Sequence, residues 1–490
     1  MYILFIMKLS INLNETIKNL KQTLPIGKSF DFITRDLYLG KTKAFWIGIN
    51  GFVKVELIQQ MFSDLQNPLY TQDDIVKNID AFMNAKIGYA QLQLSSDWEL
   101  IIRNILSGPS VLFVDGFDKA IIIDARTYPT RSVEEPDTEK VTRDARDGFV
   151  ETVLFNTNLI RRRIRSPKLT FEIKTIGTSS KTDVAVAYIE GIVNDELLEK
   201  VNEKLSNLDI TSLTMGNKSL EELLVKKRRY NLLPSIQSTE RPDVACSYLN
   251  EGHILILVDN SPSVIILPCT IFQFTQSPDD YYRAPSVGNY FRMVRFFCCL
   301  LSVFLIPVFL LLAAYFPDIS ESLKLLNTEE AKALSSMQII IYVFVVEFIL
   351  DLFKYASAHS SSNYSGSFAL IGGLIIGEIA VELNWASKEI LFYGAVTLLA
   401  SLSLSSIDFS DALRIYRLFL VATTAFFGLW GFIIGLVLII LSAATTPTFA
   451  EMSYFWPLCP FNWKALKTLL FRYPTAKAQP STVWERHRVG

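Results

Sequence analysis

Residues 296–316 read FFCCLLSVFLIPVFLLLAAYF, 21 consecutive positions without a charge. At 1.5 Å per residue such a helix covers about 31 Å, enough to cross a hydrocarbon core. Wherever the chain meets lipid its backbone amides and carbonyls must bond to each other, because no water is there to replace them. Pro307, in the middle of the run, removes one amide and requires a neighbouring helix or polar group to compensate. A second run, 418–441, is uncharged over 24 residues and reads as a second span. Between the two lie three compromised apolar segments: 337–355 with Glu347 and Asp351, 367–383 with Glu378 and Glu382, and 390–404.

Loop charge sets the orientation. Arg283, Arg292 and Arg295 precede the first span, whereas the loop after it holds Asp318, Glu321, Glu329 and Glu330 against Lys324 and Lys332. The positive-inside rule therefore puts the N-terminal region in the cytoplasm. Arg414 and Arg417 before the second long run, and Lys464, Lys467, Arg472, Lys477, Arg486 and Arg488 in the tail, also read as cytoplasmic. Two cytoplasmic ends need an even number of crossings, yet five apolar segments are visible, so one of them should be re-entrant, interfacial or buried in an assembly. The shorter segments between 367 and 404 are the candidates. The stretch 456–463, WPLCPFNW, reads as an interfacial turn. The start, MYILFIM, lacks a basic region and a cleavage site, so no signal peptide is expected.

The net charge of -2 conceals a division. Of the charged side chains, 69 precede residue 291 and only 27 lie in the last 200 residues. That asymmetry suits a water-soluble portion joined to a membrane portion. The near balance of acids and bases offers no basic face for nucleic acid. Cys246, Cys269, Cys298, Cys299 and Cys459 show no framework spacing and read as reduced thiols, and the three histidines have no metal-ligand spacing. Neither a cofactor nor a metal is expected.

Before residue 290 short β-like runs alternate with amphipathic helical ones, which implies an α/β region. GPSVLFVDGFDKAIIID from Gly108 resembles GHILILVDNSPSVIILP from Gly252, 144 residues on. Val114 aligns with Val258, Asp115 with Asp259, and Ile121 and Ile122 with Ile265 and Ile266. Each copy reads as a strand, a polar turn and a second strand, and the continuous apolar runs suit strands covered on both faces. Two related α/β subdomains follow. Asp115 and Asp259 are expected to cap their own turns rather than to form an acid/base pair. Gly40-Lys41-Thr42 copies the end of a phosphate-binding loop, but Arg35 stands where the first glycine belongs. No catalytic constellation is apparent, and the chain is not expected to be an enzyme.

Between the repeats, residues 134–169 are dense in charge, and Arg161, Arg162, Arg163 and Arg165 interleave with Phe149, Val153, Ile160 and Ile164. A solvated helix face, a subunit interface and a nucleic-acid patch are the three readings. The last is weakest, because neighbouring acids cancel the basic cluster. The membrane part holds the most informative pattern. Glu347 and Asp351 are four apart, as are Glu378 and Glu382, so each pair shares one helix face. An ionisable group at mid-bilayer costs about 3 kcal/mol on insertion scales, and normally faces a polar interior or an ion path. Headgroup-level snorkelling is the blander account for Asp351 and Glu382. Gly372, Gly373 and Gly377 precede Glu378, and Gly431 and Gly435 repeat the GxxxG spacing that lets helices approach closely.

These motifs are identified as those of a known family. The segment 239–282, TERPDVACSYLNEGHILILVDNSPSVIILPCTIFQFTQSPDDYY, resembles the signature of the spore germinant receptor A-subunit family. The segments 146–164 (RDGFVETVLFNTNLIRRRI), 188–205 (YIEGIVNDELLEKVNEKL) and 372–382 (GGLIIGEIAVE) are similar to further blocks of it. The resemblance implies a multi-pass protein of the spore inner membrane with cytoplasmic termini, active in germination. It further implies subunits assembled as a homo-oligomer, a pentameric ring around a channel for monovalent cations, with a small partner membrane protein and other germination receptor proteins nearby. Two departures stand out: RDARDGF at 143–149 replaces the RGPRDGF of the family, and Glu378 stands where an uncharged polar residue is usual.

The sequence thus predicts an α/β cytoplasmic region of two related subdomains followed by an α-helical multi-span membrane domain. Its expected divisions are an N-terminal segment 1–70, subdomains 71–168 and 169–290, a membrane domain 291–445, and an interfacial segment with a basic tail, 446–490. Ile371, Leu374, Ile375, Glu378 and Glu382, with Glu347 and Asp351, are the expected ion path. Arg161, Arg162, Arg163 and Arg165 are the expected subunit contact. A signalling scaffold without its own pore and a secondary transporter are the competing functions, the latter weakened by the lack of an inverted repeat among the apolar segments.

Overall fold

The computed structural model describes residues 9–66, 79–86, 91–128, 146–225, 229–326, 333–359, 378–379, 381–383, 385–449 and 453–471. They fall into two compact units, one within Met1–Val225 and Ile236–Pro268, the other within Lys226–Ser235 and Cys269–Ala478.

Alternation of side chains along buried strands organises the first unit. Helix α1 (Leu13–Thr23), strands β1 (Phe32–Leu39) and β2 (Thr42–Ile49), helices α2 (Val55–Leu65) and α3 (Ile79–Lys86), strand β3 (Leu92–Ser95), helix α4 (Trp98–Ser107) and strands β4 (Ser110–Val114) and β5 (Ala120–Ile123) form one antiparallel sheet with helices on both faces. Its strand order is β1-β2-β4-β5-β3. Phe45, Ile47, Val111, Phe113 and Ile122 point to one face and pack with Leu20 of α1 and Ile101 and Ile105 of α4. Trp46, Leu112, Val114, Ile121 and Ile123 point to the other, against Ile58, Met61 and Phe62 of α2 and Phe82 of α3. Period-two alternation with both sets apolar is what a sheet sandwiched between helices requires. Gly40-Lys41 is only the tight turn joining β1 to β2, with Gly40 in the left-handed region.

The whole arrangement then recurs. Helix α5 (Val153–Arg163), strands β6 (Leu169–Ile176) and β7 (Thr182–Ile189), helices α6 (Asp195–Ser206) and α7 (Asn217–Leu224), strand β8 (Gln237–Thr239), helix α8 (Pro242–Asn250) and strands β9 (Ile254–Val258) and β10 (Val264–Leu267) follow 137 to 145 residues behind their counterparts. The order β6-β7-β9-β10-β8 copies the first sheet. The repeat seen in two hairpins therefore extends over nine elements. β1 and β2 come from the stretch 1–70 and belong to the first sheet, while α5 precedes residue 168 and packs on the second. Asp115 and Asp259 are equivalent but do not cap their own turns. Asp115 accepts from the backbone N–H of Leu13 at 3.0 Å, and Asp259 from that of Val153 at 3.0 Å, so each caps the first helix of its repeat. A carboxylate there satisfies an orphan amide and opposes the positive end of the helix dipole. Among the thiols, burial pushes Cys246 up to about 12, which keeps it protonated and inert.

The second unit is helical: α9 (Asp279–Tyr282), α10 (Pro285–Tyr315), α11 (Pro317–Ser322), α12 (Ser336–His359), α13 (Lys388–Leu402), α14 (Ile407–Ala444) and α15 (Trp463–Leu470). Among the described residues, three helices, α10, α12 and α14, are long and apolar enough to cross a membrane. α14 corrects the expectation of a single span over 418–441. Gly428 has φ 58° and ψ -134°, a break that no helix accommodates, and the chain turns back on itself there. The Tyr416 hydroxyl lies 2.7 Å from Ser442 Oγ, although 26 residues of straight helix would separate them by about 39 Å. α14 is thus a hairpin of two antiparallel limbs, 407–427 and 429–444. Gly431 and Gly435 sit between the limbs, where a Cβ would stand 1.9 Å from the Thr423 carbonyl oxygen and 2.6 Å from Thr423 Oγ1. The break frees the Ala425 carbonyl from its helical donor, and the Tyr315 hydroxyl of α10 donates to it at 2.6 Å. The uncharged run could not disclose this, since apolarity is the same for a rod and for a hairpin.

Cysteines at Tyr416 and Ser442, in a background freed of native cysteines, are expected to join in a short-linker crosslink within one chain. A straight helix would give none. Gly431→Val is expected to abolish the crosslink by forcing the limbs apart, as read by mobility on a denaturing gel.

Candidate functional site

Glu347 and Asp351 lie one turn apart on α12, as their spacing predicted, with Lys354 three residues further on. On the facing limb of α14, Asp411, Arg414 and Arg417 follow the same helical spacing in the opposite direction. The two rows pair off. Arg417 forks onto Glu347, Nε to Oε1 and Nη2 to Oε2 both at 2.8 Å. Arg414 Nε is 2.5 Å from Asp351 Oδ1, and Lys354 Nζ is 2.6 Å from Asp411 Oδ1. Exposure rises along this ladder. The first pair is 1% and 4% exposed, the second about a quarter, and the third 21% and 50%.

The third arm of Arg417, Nη1, donates to the carbonyl of Ser302 on α10 at 3.0 Å. That carbonyl lies beside Val303, whose own helical donor would be the amide that Pro307 lacks. Ser302 is six residues into the uncharged run, so the pair sits about 9 Å in from its start. A lone charge at that depth would cost several kcal/mol. A forked pair with its remaining donor satisfied is neutral and holds three helices at fixed heights. Close packing supports it: a Cβ on Gly394 of α13 would stand 2.7 Å from Val346 of α12.

The remaining expected residues fall in different places. Glu378 and Glu382 are exposed and have no ion pair among the described residues. Ile371, Leu374, Ile375, Gly372, Gly373 and Gly377 lie outside the described residues. Arg161 is fully buried, Nε 2.8 Å from Asp31, with its other arms on the carbonyls of Ser166 and Leu169. The rings of Phe32 and Phe171 flank its guanidinium at 5.4 and 5.2 Å. Its partner is within the chain, where it joins the two repeats. Arg162 lies over Tyr128, Arg163 bonds Asp147 at 2.6 Å, and Arg165 is exposed. In the sequence Arg414 and Arg417 stand out only as markers of orientation. Their three-residue spacing, set against the four-residue spacing of Glu347 and Asp351, was the available signal. Asp280, to which no sequence pattern points, is buried between Arg292 and Arg295 of α10: Arg295 Nη1 and Nη2 donate to its two oxygens at 2.9 and 3.1 Å, Arg292 Nε does so at 3.4 Å, and Arg295 Nη1 also reaches the Thr275 carbonyl at 2.9 Å.

A duplicated α/β unit together with helices of membrane length, on which Glu347, Asp351 and Lys354 are each met by an opposite charge, defines a multi-helix membrane protein with a large α/β portion. The Bacillus/Clostridium GerA spore germination protein family matches residues 18–482, and the chain belongs to that family. It is 35% identical to stage V sporulation protein AF of Bacillus subtilis (strain 168) over 96% of this chain and 94% of that one. It is 26% identical to spore germination protein KA of the same organism, over 96% and 87%. Among solved structures, the N-terminal domain of the A subunit of the Bacillus megaterium spore germinant receptor GerK3 is 26% identical, covering 54% of this chain and 96% of that one at a TM-score of 0.42. The resemblance read from the motifs therefore holds along nearly the whole sequence.

Arg417→Gln leaves Glu347 buried without its cation and is expected to destabilise the membrane unit by about 3–5 kcal/mol. Replacing both partners at once, Glu347→Leu with Arg417→Met, should recover most of that loss. Arg414→Gln, at a half-hydrated pair, should cost less than about 1 kcal/mol. Unfolding of the purified protein in detergent measures all three.

Proposed function

We propose that this spore germination membrane protein is one subunit of a pentameric ring that conducts monovalent cations across the spore inner membrane, with both termini in the cytoplasm. In this reading it amplifies the germination response together with a small partner membrane protein and other germination receptor proteins. The observation that carries it is the contrast among the intramembrane acids. Glu347 and Asp351 are neutralised inside the chain, whereas Glu378 and Glu382 stay exposed. Repeated around a ring, exposed glutamates concentrate cations by Coulomb attraction, and apolar neighbours close the path by dewetting. Ile371, Leu374 and Ile375 are the neighbours this reading assigns to the conduit. Membership of the GerA family and likeness to a sporulation protein support the setting.

A second reading, a signalling scaffold without its own pore, draws on the same ladder: with Glu347 and Asp351 consumed by arginines, two of the four acids have no charge left for a cation. In reconstituted membranes Glu378→Gln is expected to lower cation conductance several-fold or shift selectivity, and an unchanged current would remove Glu378 from the pore. Images of the purified protein should show a cyclic particle with an axial opening. A closed ring would favour the scaffold, and a monomer would count against both the ring and the channel.

A further inference from the structure

Two arginines share one buried acid near the start of α10. Arg292 and Asp280 are each 1% exposed and Arg295 is 10% exposed. Among the described residues no second carboxylate bonds either arginine, so the cluster holds one positive charge in excess. Arg292 commits Nε to Asp280 and Nη1 to the Leu469 carbonyl in the last turn of α15, 2.9 Å away, whereas its Nη2 is buried with no acceptor among the described residues. A guanidinium nitrogen removed from water without an acceptor is unfavourable, and an anionic oxygen is the group that satisfies both the nitrogen and the excess charge. The Tyr281 ring lies over the guanidinium, 5.6 Å from Cζ to its centroid, and is half exposed, so the cluster sits one ring below the surface. That surface borders the apolar run, since Arg295 directly precedes Phe296. It is aromatic and basic. Arg283 stacks over the exposed ring of Phe291 at 4.2 Å. Trp463 and Lys467, four apart, share the exposed face of α15, and the exposed ring of Phe461 stacks on Trp463. Over 269–300 and 453–471 five bases stand against two acids.

We propose that this surface binds the phosphate of an anionic phospholipid. Arg292 Nη2 donates to a phosphate oxygen once the Tyr281 ring swings aside, Arg283 and Lys467 add charge around it, and Phe461 and Trp463 lie at the headgroup level. Two features favour lipid over a protein partner. Aromatic rings and cations occur together at the border of an uncharged helical run, where amphipathic side chains settle between hydrocarbon and water. The excess of bases also complements a negatively charged leaflet, to which each cation adds a modest, salt-screened attraction. A bound phosphate ties α9, α10 and α15 together at the membrane surface through the arginine that already holds α15.

The test uses the full-length protein in neutral detergent, titrated with phosphatidylglycerol or phosphatidylcholine, with bound lipid counted by native mass spectrometry. Wild type should retain phosphatidylglycerol preferentially, and less so at raised salt. Arg283→Gln/Lys467→Gln, which leaves the buried cluster intact, should weaken phosphatidylglycerol binding about tenfold. Arg292→Lys keeps the charge but removes the Nη2 donor, and should weaken it several-fold. Tyr281→Ala uncovers that donor and should tighten phosphatidylglycerol binding a few-fold, the reverse of what loss of a purely structural ring does. An unchanged unfolding midpoint in phosphatidylcholine shows that the variants are folded. Equal binding of the two lipids by wild type, undiminished phosphatidylglycerol binding by Arg283→Gln/Lys467→Gln, or no tightening in Tyr281→Ala would overturn the proposal. So would inorganic phosphate competing as well as the lipid does, since that result assigns the cluster to a free anion.

Discussion

A carboxylate and a guanidinium level with a point nearly two turns inside the uncharged run of α10 are tolerable only together, and the membrane unit is arranged around that condition. Glu347 and Arg417 satisfy each other through a planar fork, and the spare nitrogen of Arg417 reaches the backbone of α10. Three helices are therefore fixed in rotation and in height by one group. Apolar packing alone would specify this poorly, because lipid tails solvate an apolar face about as well as a neighbouring helix does. The two outer pairs extend the same register towards water, each weaker than the last as solvent screens it.

The α/β unit uses the same chemistry. Asp31 and Arg161 are buried between the repeats, with Ser29 Oγ donating to the second Asp31 oxygen at 2.6 Å and two backbone carbonyls completing the guanidinium. Each nitrogen of Arg161 and each carboxylate oxygen of Asp31 has a partner, so the pair specifies how the repeats join without an unpaired buried charge. Duplication accounts for the rest. Each sheet places a carboxylate, Asp115 or Asp259, at the head of its own first helix, about a hundred residues away in sequence. In both, the sheet is thus locked to the helix that covers it.

Much of this was legible in the residues. The apolar runs marked the membrane unit, the hairpins at Gly108 and Gly252 marked the duplication, and the four-residue spacing of Glu347 and Asp351 placed both on one face. What escaped was the identity of partners. Arg417 lies 70 residues from Glu347, and Asp31 lies 130 from Arg161, and no local period links either pair. Of the expected ion path, the exposed Glu378 and Glu382 remain compatible with a conduit, whereas Glu347 and Asp351 are occupied by arginines.

Composition and period by themselves determined which residues leave water, which alternate as buried strands and which share a helix face, because those properties depend on near neighbours and on solvent. Tertiary structure alone decided that the 24 uncharged residues of 418–441 fold back at Gly428, that their glycines pack limb on limb, and that Glu347 and Asp351 are each paired with an arginine. A left-handed glycine costs nothing detectable in hydropathy, and a charge looks alike in sequence whether paired or free. Only the distance to a partner brought in by folding separates a structural ion pair from a site that can meet a cation.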